Sequence, residues 1–429
     1  MITNMLPLFA GLVAAAAPAY LIRFSVFGIP TTALEILIYT FVAAVVLSRW
    51  GNLQFPPRNV LWPIILFILA AVISTIIAPD QRTALGILKA WIFDPILFAW
   101  ALYQLRERRE VLVATITGLV AGALAVASIA VVQRLIGAVT IDGRVIGPYA
   151  WFPAENASPN YLALYLAPLG VLTAGIGIGS LAVGRRRGLL SLLGAALIAL
   201  AIYLSFSRAG LVALGVGVAT MLVLRHWSLL RSRLVLRLSL SAFVVLAAIG
   251  AWFFIRPDPL LSPEEGGRIT ASNNVRWEIW KTTVTEIIPA HPIFGVGLGN
   301  YQDYFTELTR GRVNYDRIAP LALTPHNLFL SLWTNLGLAG LIALLWLLVI
   351  LVRRTWSTLV NLQKNPGREG KLAIWILISL VGSLVALLAH GFLDTPYFKN
   401  DLSLLFWTTI AILVFLMDAQ PVWKETKHP

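Results

Sequence analysis

HNLFLSLWTNLGLAGLIALLWLLVILV, residues 326–352, runs for 27 positions without an aspartate, glutamate, lysine or arginine and stops at Arg353-Arg354. At 1.5 Å per residue a helix of this length reaches ~40 Å, more than the ~30 Å hydrocarbon core of a bilayer. A membrane span is the reading that fits. Outward from it, apolar runs bounded by charge, Pro or Gly recur at 5–22, 31–48, 60–78, 84–104, 111–136, 160–183, 188–206, 208–224, 238–255, 372–393 and 402–418. The spacing predicts an all-α, polytopic membrane helix bundle of about twelve spans, with the apolar runs buried in lipid and between helices. Only 12% of the 429 residues are charged and 58% are hydrophobic, whereas soluble domains carry roughly twice that charge. The apolar start, residues 1–22, lacks a basic flank and is read as a span, not a cleaved signal.

The net charge of +13 would suggest nucleic acid in a soluble protein. Here nineteen of the 33 basic residues fall in the alternate connections 49–59, 105–110, 184–187, 225–237 and 353–371 and in the tail, where Lys424 and Lys427 lie. The short connections of the other set hold five: Arg23, Arg82, Arg144, Arg208 and Lys399. That asymmetry expects the first set and both termini in the cytoplasm, and explains the charge without a nucleic-acid partner. The chain has no cysteine, which excludes disulfides, thiolate nucleophiles and cysteine-based metal sites.

One connection is long. Residues 256–325 hold seven basic and eight acidic residues and are expected on the outer side. The chain therefore divides into spans 1–9 (1–255), this loop (256–325), and spans 10–12 with a tail (326–429). A loop of this length is functional or disordered, and only its first stretch, with Pro257, Pro259, Pro263, Gly266 and Gly267, has the composition for disorder. From Asn274, a candidate N-cap, Trp277, Trp280, Val284, Ile287 and Ile288 recur at helical spacing up to Pro289 and Pro292. They predict an amphipathic helix lying on the membrane or on the mouth of the bundle. A second short helix, about 300–310, ends at Gly311.

The candidate reactive groups share the outer side. Arg208, in Ser205-Phe206-Ser207-Arg208-Ala209-Gly210, sits in a tight hairpin between two spans. It either snorkels to headgroups or, on a side poor in arginine, serves the mouth of the bundle; the second reading is preferred. Arg276 opens the loop helix, where a cation opposes the dipole and gains nothing for helix stability. Pairing with Glu278 is the plain alternative. Two arginines on separate elements suit a diphosphate, because guanidinium offers phosphate oxygens a rigid fork. His326 follows Thr324 and Pro325, read as N-cap and first helical residue. The dipole would then favour a neutral ring able to accept a hydroxyl proton. Taken alone, a hydrogen-bonded interfacial histidine is the simpler reading.

The cluster Asn156 to Asn160 and the group His390, Gly391 and Asp394 fall on the same side and read equally as caps and turns. The turn Gly295, Gly297, Gly299 lacks a dinucleotide fold around it. Within the bilayer, Lys89 and Asp94 stand five apart, off a common helical face, and are read as structural, with Asp94-Pro95 as a capped break.

The order Ser207-Arg208-Ala209-Gly210, Arg276-Trp277, Gly295 to Asn300 and Pro325-His326-Asn327 resembles the O-antigen ligase and O-antigen polymerase superfamily, most strongly over 150–400. The resemblance implies an inverting, metal-independent transfer without a cofactor. A glycan on a polyprenyl diphosphate donor passes to a hydroxyl of the lipid A core, or of another glycan in a polymerase, at the periplasmic face of a bacterial inner membrane. It implies that Arg208 and Arg276 hold the diphosphate and that His326 orients or deprotonates the acceptor. Asn160, Asn327, Trp277, His390 and Asp394 are the accompanying substrate-binding candidates. Two other classes compete: a transporter, such as the bicarbonate-uptake-like relatives, and a scaffold using the Trp-rich helix. A transporter should keep its polar groups near mid-membrane, where only Lys89 and Asp94 qualify.

Overall fold

The computed structural model describes residues 2–140, 143–151, 158–227, 274–364 and 367–418. The expected ninth span (238–255), the Pro- and Gly-rich stretch after it, Asn156, and the tail residues Lys424 and Lys427 lie outside the described residues. The other eleven spans are helices: α1 Ile2–Ala15, α2 Ala33–Ser48, α3 Arg58–Ile77, α4 Gln81–Gln104, α5 Arg109–Leu135, α6 Pro159–Ala182, α7 Gly188–Leu204 and α8 Arg208–Arg225. Two loop helices follow, α9 at 274–290 and α10 Tyr301–Thr309. Then come α11 Leu328–Lys364, α12 Arg368–His390 and α13 Asn400–Asp418. Eight of these are long and apolar enough to cross a bilayer, while α1, α2 and α7 are shorter apolar helices. The chain is a multi-pass membrane helix bundle.

Helix packing follows small residues, as it must where lipid offers no hydrophobic drive for association. Gly118 and Gly122 on α5 meet the backbone of Gly11 and Ala15 on α1 so closely that a Cβ at either would overlap it. Helix α6 lies between α7, α8 and α12. Together with α13 and α12 it is the most enclosed of the spans, whereas α8 faces largely outward. One end of the bundle is rich in arginine and is stapled there: Glu369 takes both Arg109 and Arg185, and Arg354 meets Asp418. The opposite end carries the long loop and is called the loop end below.

Three local features add to or change the sequence reading. The connection 23–32 is a two-stranded hairpin, β1 Arg23–Val26 paired antiparallel with β2 Ile29–Thr32. Phe27 and Gly28 form its turn with φ of 49° and 79°, the primed geometry that matches strand twist. Asp94 does not cap a break: α4 continues through a π-turn, Leu88–Phe93, and the Tyr39 hydroxyl donates to Asp94 at 2.6 Å. As expected, Lys89 does not pair with Asp94; its ammonium bonds Glu35 at 2.7 Å and the Pro30 carbonyl at 3.2 Å. Both side chains therefore anchor α2 and the hairpin on α4.

The third change decides the loop end. Helix α11 is interrupted at Gly337, whose φ of 68° and ψ of −176° leave the helix. In an unbroken helix Leu338 N–H would donate to the Thr334 carbonyl. Instead it donates to Ile293 O at 3.0 Å, and Thr334 O accepts from Val296 N–H at 2.8 Å. Residues 293–296, leading into the turn Gly295 to Asn300, are thus inserted into the break and fill both halves of the lost bond. Gly299 N–H adds a bond to the Asn335 side chain at 3.0 Å and Leu298 N–H one to Ser74 O at 3.2 Å. An unfilled backbone group here would cost on the order of several kcal/mol. A Cβ at Gly295, where φ is 72°, would overlap the Thr334 carbonyl. Gly295→Ala should therefore lower stability by roughly 2 kcal/mol or more, read as a fall in melting temperature in detergent. Gly215→Ala, on α8 with open space around its Cα, should leave it unchanged.

Candidate functional site

The loop helix α9 docks by a face that keeps Trp280, Ile287 and Ile288 of the expected apolar set and leaves out Trp277 and Val284. Trp277 and Val284 are 63% and 51% exposed, while Val275, Ile279, Thr283 and Ile287 are buried. A π-turn at Thr283–Ile287 shifts the register, and the buried face packs with Val296, Tyr301, Phe305 and Ala322 into a small core of the loop's own. The helix is already formed at 274, so the capping reading of Asn274 turns on residues outside those described. Two polar contacts fix its position: Thr283 with the Tyr301 hydroxyl at 2.6 Å, and Trp280 Nε1 donating to Pro325 O at 2.8 Å. Pro325 precedes His326, and Arg276 lies one turn before Trp280. The tryptophan bond holds this helix to the residue before His326, and the Arg276 charge reaches Asp394.

His326 is not in a first helical turn, which corrects the expected dipole effect. Thr324 Oγ1 accepts the His326 N–H at 3.2 Å in a side-chain turn, and His326 has φ 48°. The cap of α11 is Asn327, whose Oδ1 accepts from Phe329 and Leu330 N–H at 3.0 and 3.1 Å. Its Nδ2 donates to Phe392 O at 3.1 Å, so both ends of this amide hold the start of α11 to the turn after α12. The Leu328 N–H reaches Gly391 O at 2.6 Å in the same seam.

Asp394 is the centre of the cluster. It is buried, accepts from Asn160 Nδ2 at 3.0 Å and from Thr395 N–H at 2.9 Å, and stands 3.6 Å from His326 Nδ1. Burial pushes its pKa up, but the His326 side chain and the charges of Arg276 and His390 outweigh it and hold the carboxyl well below the usual range. His326 Nε2 donates to Leu321 O at 2.9 Å. Nδ1 faces the Asp394 carboxylate at 3.6 Å, beyond hydrogen-bond reach, and Nε2 faces a carbonyl. His390 is fully buried, and neither ring nitrogen has a hydrogen-bond partner among the described residues.

The structure thus brings Arg276, His326, Asn160, His390 and Asp394 together at the loop end, with Trp277 exposed beside Arg276. Arg208 opens α8 at the same end. Ser207 caps that helix through Gly210 N–H at 3.3 Å, and Gly210 lies against Ala163, one turn past Asn160. The glycine turn plugs α11 and holds no ligand position. Sequence reading passed over a second cluster, in which the Lys399 ammonium lies among Tyr161, Tyr149 and Tyr20 beside Asp401. Its one signal was a lysine on the side poor in basic residues.

Residues 193–345 match the O-antigen ligase family. The match takes in Arg208, Arg276, Trp277, His326 and Asn327 and leaves Asn160, His390 and Asp394 beyond its limits. No curated protein matches the chain. Over that stretch the resemblance read from the sequence is borne out.

The depressed Asp394 pKa has a consequence for stability. A carboxyl lowered in the folded state contributes stability above its unfolded value of about 4 and loses it as pH falls toward the native value. The melting-temperature gap between wild type and Asp394→Asn should be constant from pH 8 to 5 and narrow below about pH 4. A gap unchanged down to pH 3 would contradict the assigned contacts.

Proposed function

We propose that this membrane protein transfers a glycan from a polyprenyl diphosphate to an acceptor sugar hydroxyl, on the lipid A core or a surface glycan, at the periplasmic face of a bacterial inner membrane. The observation that carries this reading is the convergence of Arg276 and His326 on Asp394 at the loop end, within reach of a family-matched segment that also holds Arg208.

The chemistry asks for two things. Charge builds on the diphosphate as the glycosidic bond breaks, and fixed cations in a shielded site stabilise it without reorganising. Arg276 and Arg208 supply guanidinium groups from separate helices, both at the end where the loop covers the bundle. The acceptor hydroxyl must also give up its proton as its oxygen attacks the anomeric carbon. Asp394, 3.6 Å from Nδ1 of His326, orients the ring and favours the tautomer with its proton on Nδ1 once Nε2 gives up the Leu321 carbonyl, the logic of a carboxylate–imidazole pair. Nε2 becomes the base once the ring leaves the Leu321 carbonyl, and Asp394 then stabilises the imidazolium that forms. Asn160 positions the carboxylate. A transporter reading draws no support from mid-membrane, where Lys89 and Asp94 are tied to Glu35 and Tyr39.

Purified protein, given polyprenyl-diphosphate glycan and lipid A core or glycan acceptors, should yield a product of higher gel mass. Arg208→Ala, Arg276→Ala and His326→Ala should each lower transfer by about a hundredfold or more while inserting and purifying normally. Full transfer in all three would refute the assignment. Orientation is open to a separate test because the chain has no cysteine. A single cysteine placed at Val313, exposed on the loop, should react with an impermeant maleimide from the periplasmic side. One at Asn361, at the arginine-rich end, should react only after lysis, and the reverse pattern would invert the topology.

A further inference from the structure

Lys399 lies in the connection between α12 and α13. Its ammonium is 3.7 Å from the ring centre of Tyr161, 4.1 Å from Tyr149 and 5.5 Å from Tyr20. The three rings come from the first turn of α6, the 3-10 turn Gly147–Trp151 and the 3-10 turn Ala17–Leu21. Asp401, the carboxylate whose charge it feels, is engaged elsewhere, accepting from the Tyr149 hydroxyl at 2.6 Å and from Leu402 N–H at 3.0 Å. Among the described residues no carboxylate lies within 4.0 Å of the ammonium and no acceptor bonds it.

Aromatic faces hold a cation's charge but do not fill its three N–H donors. Those donors need oxygens from outside the chain, and the half-buried side chain is open enough to receive them. The position is informative. Tyr161 directly follows Asn160, whose amide holds Asp394, and the Tyr161 hydroxyl is within electrostatic reach of both Asp394 and Asp401. Tyr161 thus touches this caged cation with its ring while lying within electrostatic reach of Asp394 in the first cluster. The charge of Arg23, at the base of the hairpin, also acts on Lys399.

We propose that Lys399 is a further substrate-binding residue, its caged ammonium taking an oxyanion of a lipid-linked phosphate beside the Tyr161 ring. This rests on the glycosyl-transfer reading above. The oxyanion belongs to the donor's diphosphate or to a phosphorylated glycolipid acceptor. Burial lowers the Lys399 pKa to about 8, with Asp401 opposing and Arg23 adding to the shift. The groups facing it are Asp401 on α13, Tyr161 on α6, Tyr149, Tyr20 and Arg23. Its positive charge is therefore lost as pH rises through about 8, in a range where a phosphate ligand is already fully ionised.

The test is direct binding to the full-length protein in detergent, with polyprenyl diphosphate and a phosphorylated lipid A-type glycolipid titrated separately. For one of the two, Lys399→Met should raise the Kd at least tenfold, and Lys399→Arg should restore much of the loss. Wild-type affinity for that ligand should fall between pH 7 and 9, a profile that needs no variant and that Lys399→Met should lack. The ligand that responds names the source of the phosphate. Equal binding and equal pH profiles in wild type and Lys399→Met would show a lysine that only props three tyrosines, and would overturn this assignment alone. Wild-type protein that binds neither ligand would overturn the glycosyl-transfer reading with it.

Discussion

Between Thr334 and Leu338 an ordinary helix closes one hydrogen bond, and here residues 293–296 take both halves of it. The rest of the loop end follows from that exchange. Backbone polar groups in a membrane protein must be satisfied within the protein, so the break at Gly337 exists only because the glycine turn fills it. The turn in turn fixes where α10 begins, α10 supplies Tyr301 and Phe305 to the core under α9, and α9 carries Arg276. Trp280 closes the circuit on Pro325, next to His326. A long loop that sequence alone could place only on one side of the membrane is held in this way to the bundle at both of its described ends.

Around Asp394 the structure sets one carboxylate among Arg276, His326 and His390, which come from three separate parts of the chain. Each would be costly to enclose by itself, and mutual pairing is what makes their enclosure tolerable. The same arrangement gives the site its chemical character. It is rich in donors and poor in acceptors, which suits an anionic leaving group, and its one carboxylate is occupied in orienting an imidazole.

The helices were legible because their signal is compositional: an uncharged run of adequate length has few alternatives. The boundaries at Ala15, Gly337 and Lys364 were not, since they depend on which backbone groups find partners elsewhere. The motif residues Arg208, Arg276 and His326 could be named from order and side. The face of α9 was legible only in part: Trp277 and Val284 turn away from the core, and the π-turn that sets Ile287 and Ile288 on the same face as Val275 and Ile279 is announced by no spacing rule. His326 was placed inside α11 because Thr324-Pro325 is a sound helix start by local rules; Asn327 won the cap by bonding two N–H groups and Phe392 at once. Lys399 went unread because its surroundings come from Tyr20, Tyr149 and Tyr161, far apart in sequence, and a lysine in a short connection already had a topological explanation.

A helix severed at Gly337 has two orientations to set where a continuous one has a single tilt. Residues 328–336 are bonded to the loop and to the turn after α12, whereas 338–364 answer to the lipid and the neighbouring spans. When a bilayer thickens or thins, a long span adjusts by leaning. The break at Gly337 gives that lean a hinge below the segment that is bonded to the loop, so a tilt of the longer half need not carry the imidazole with it.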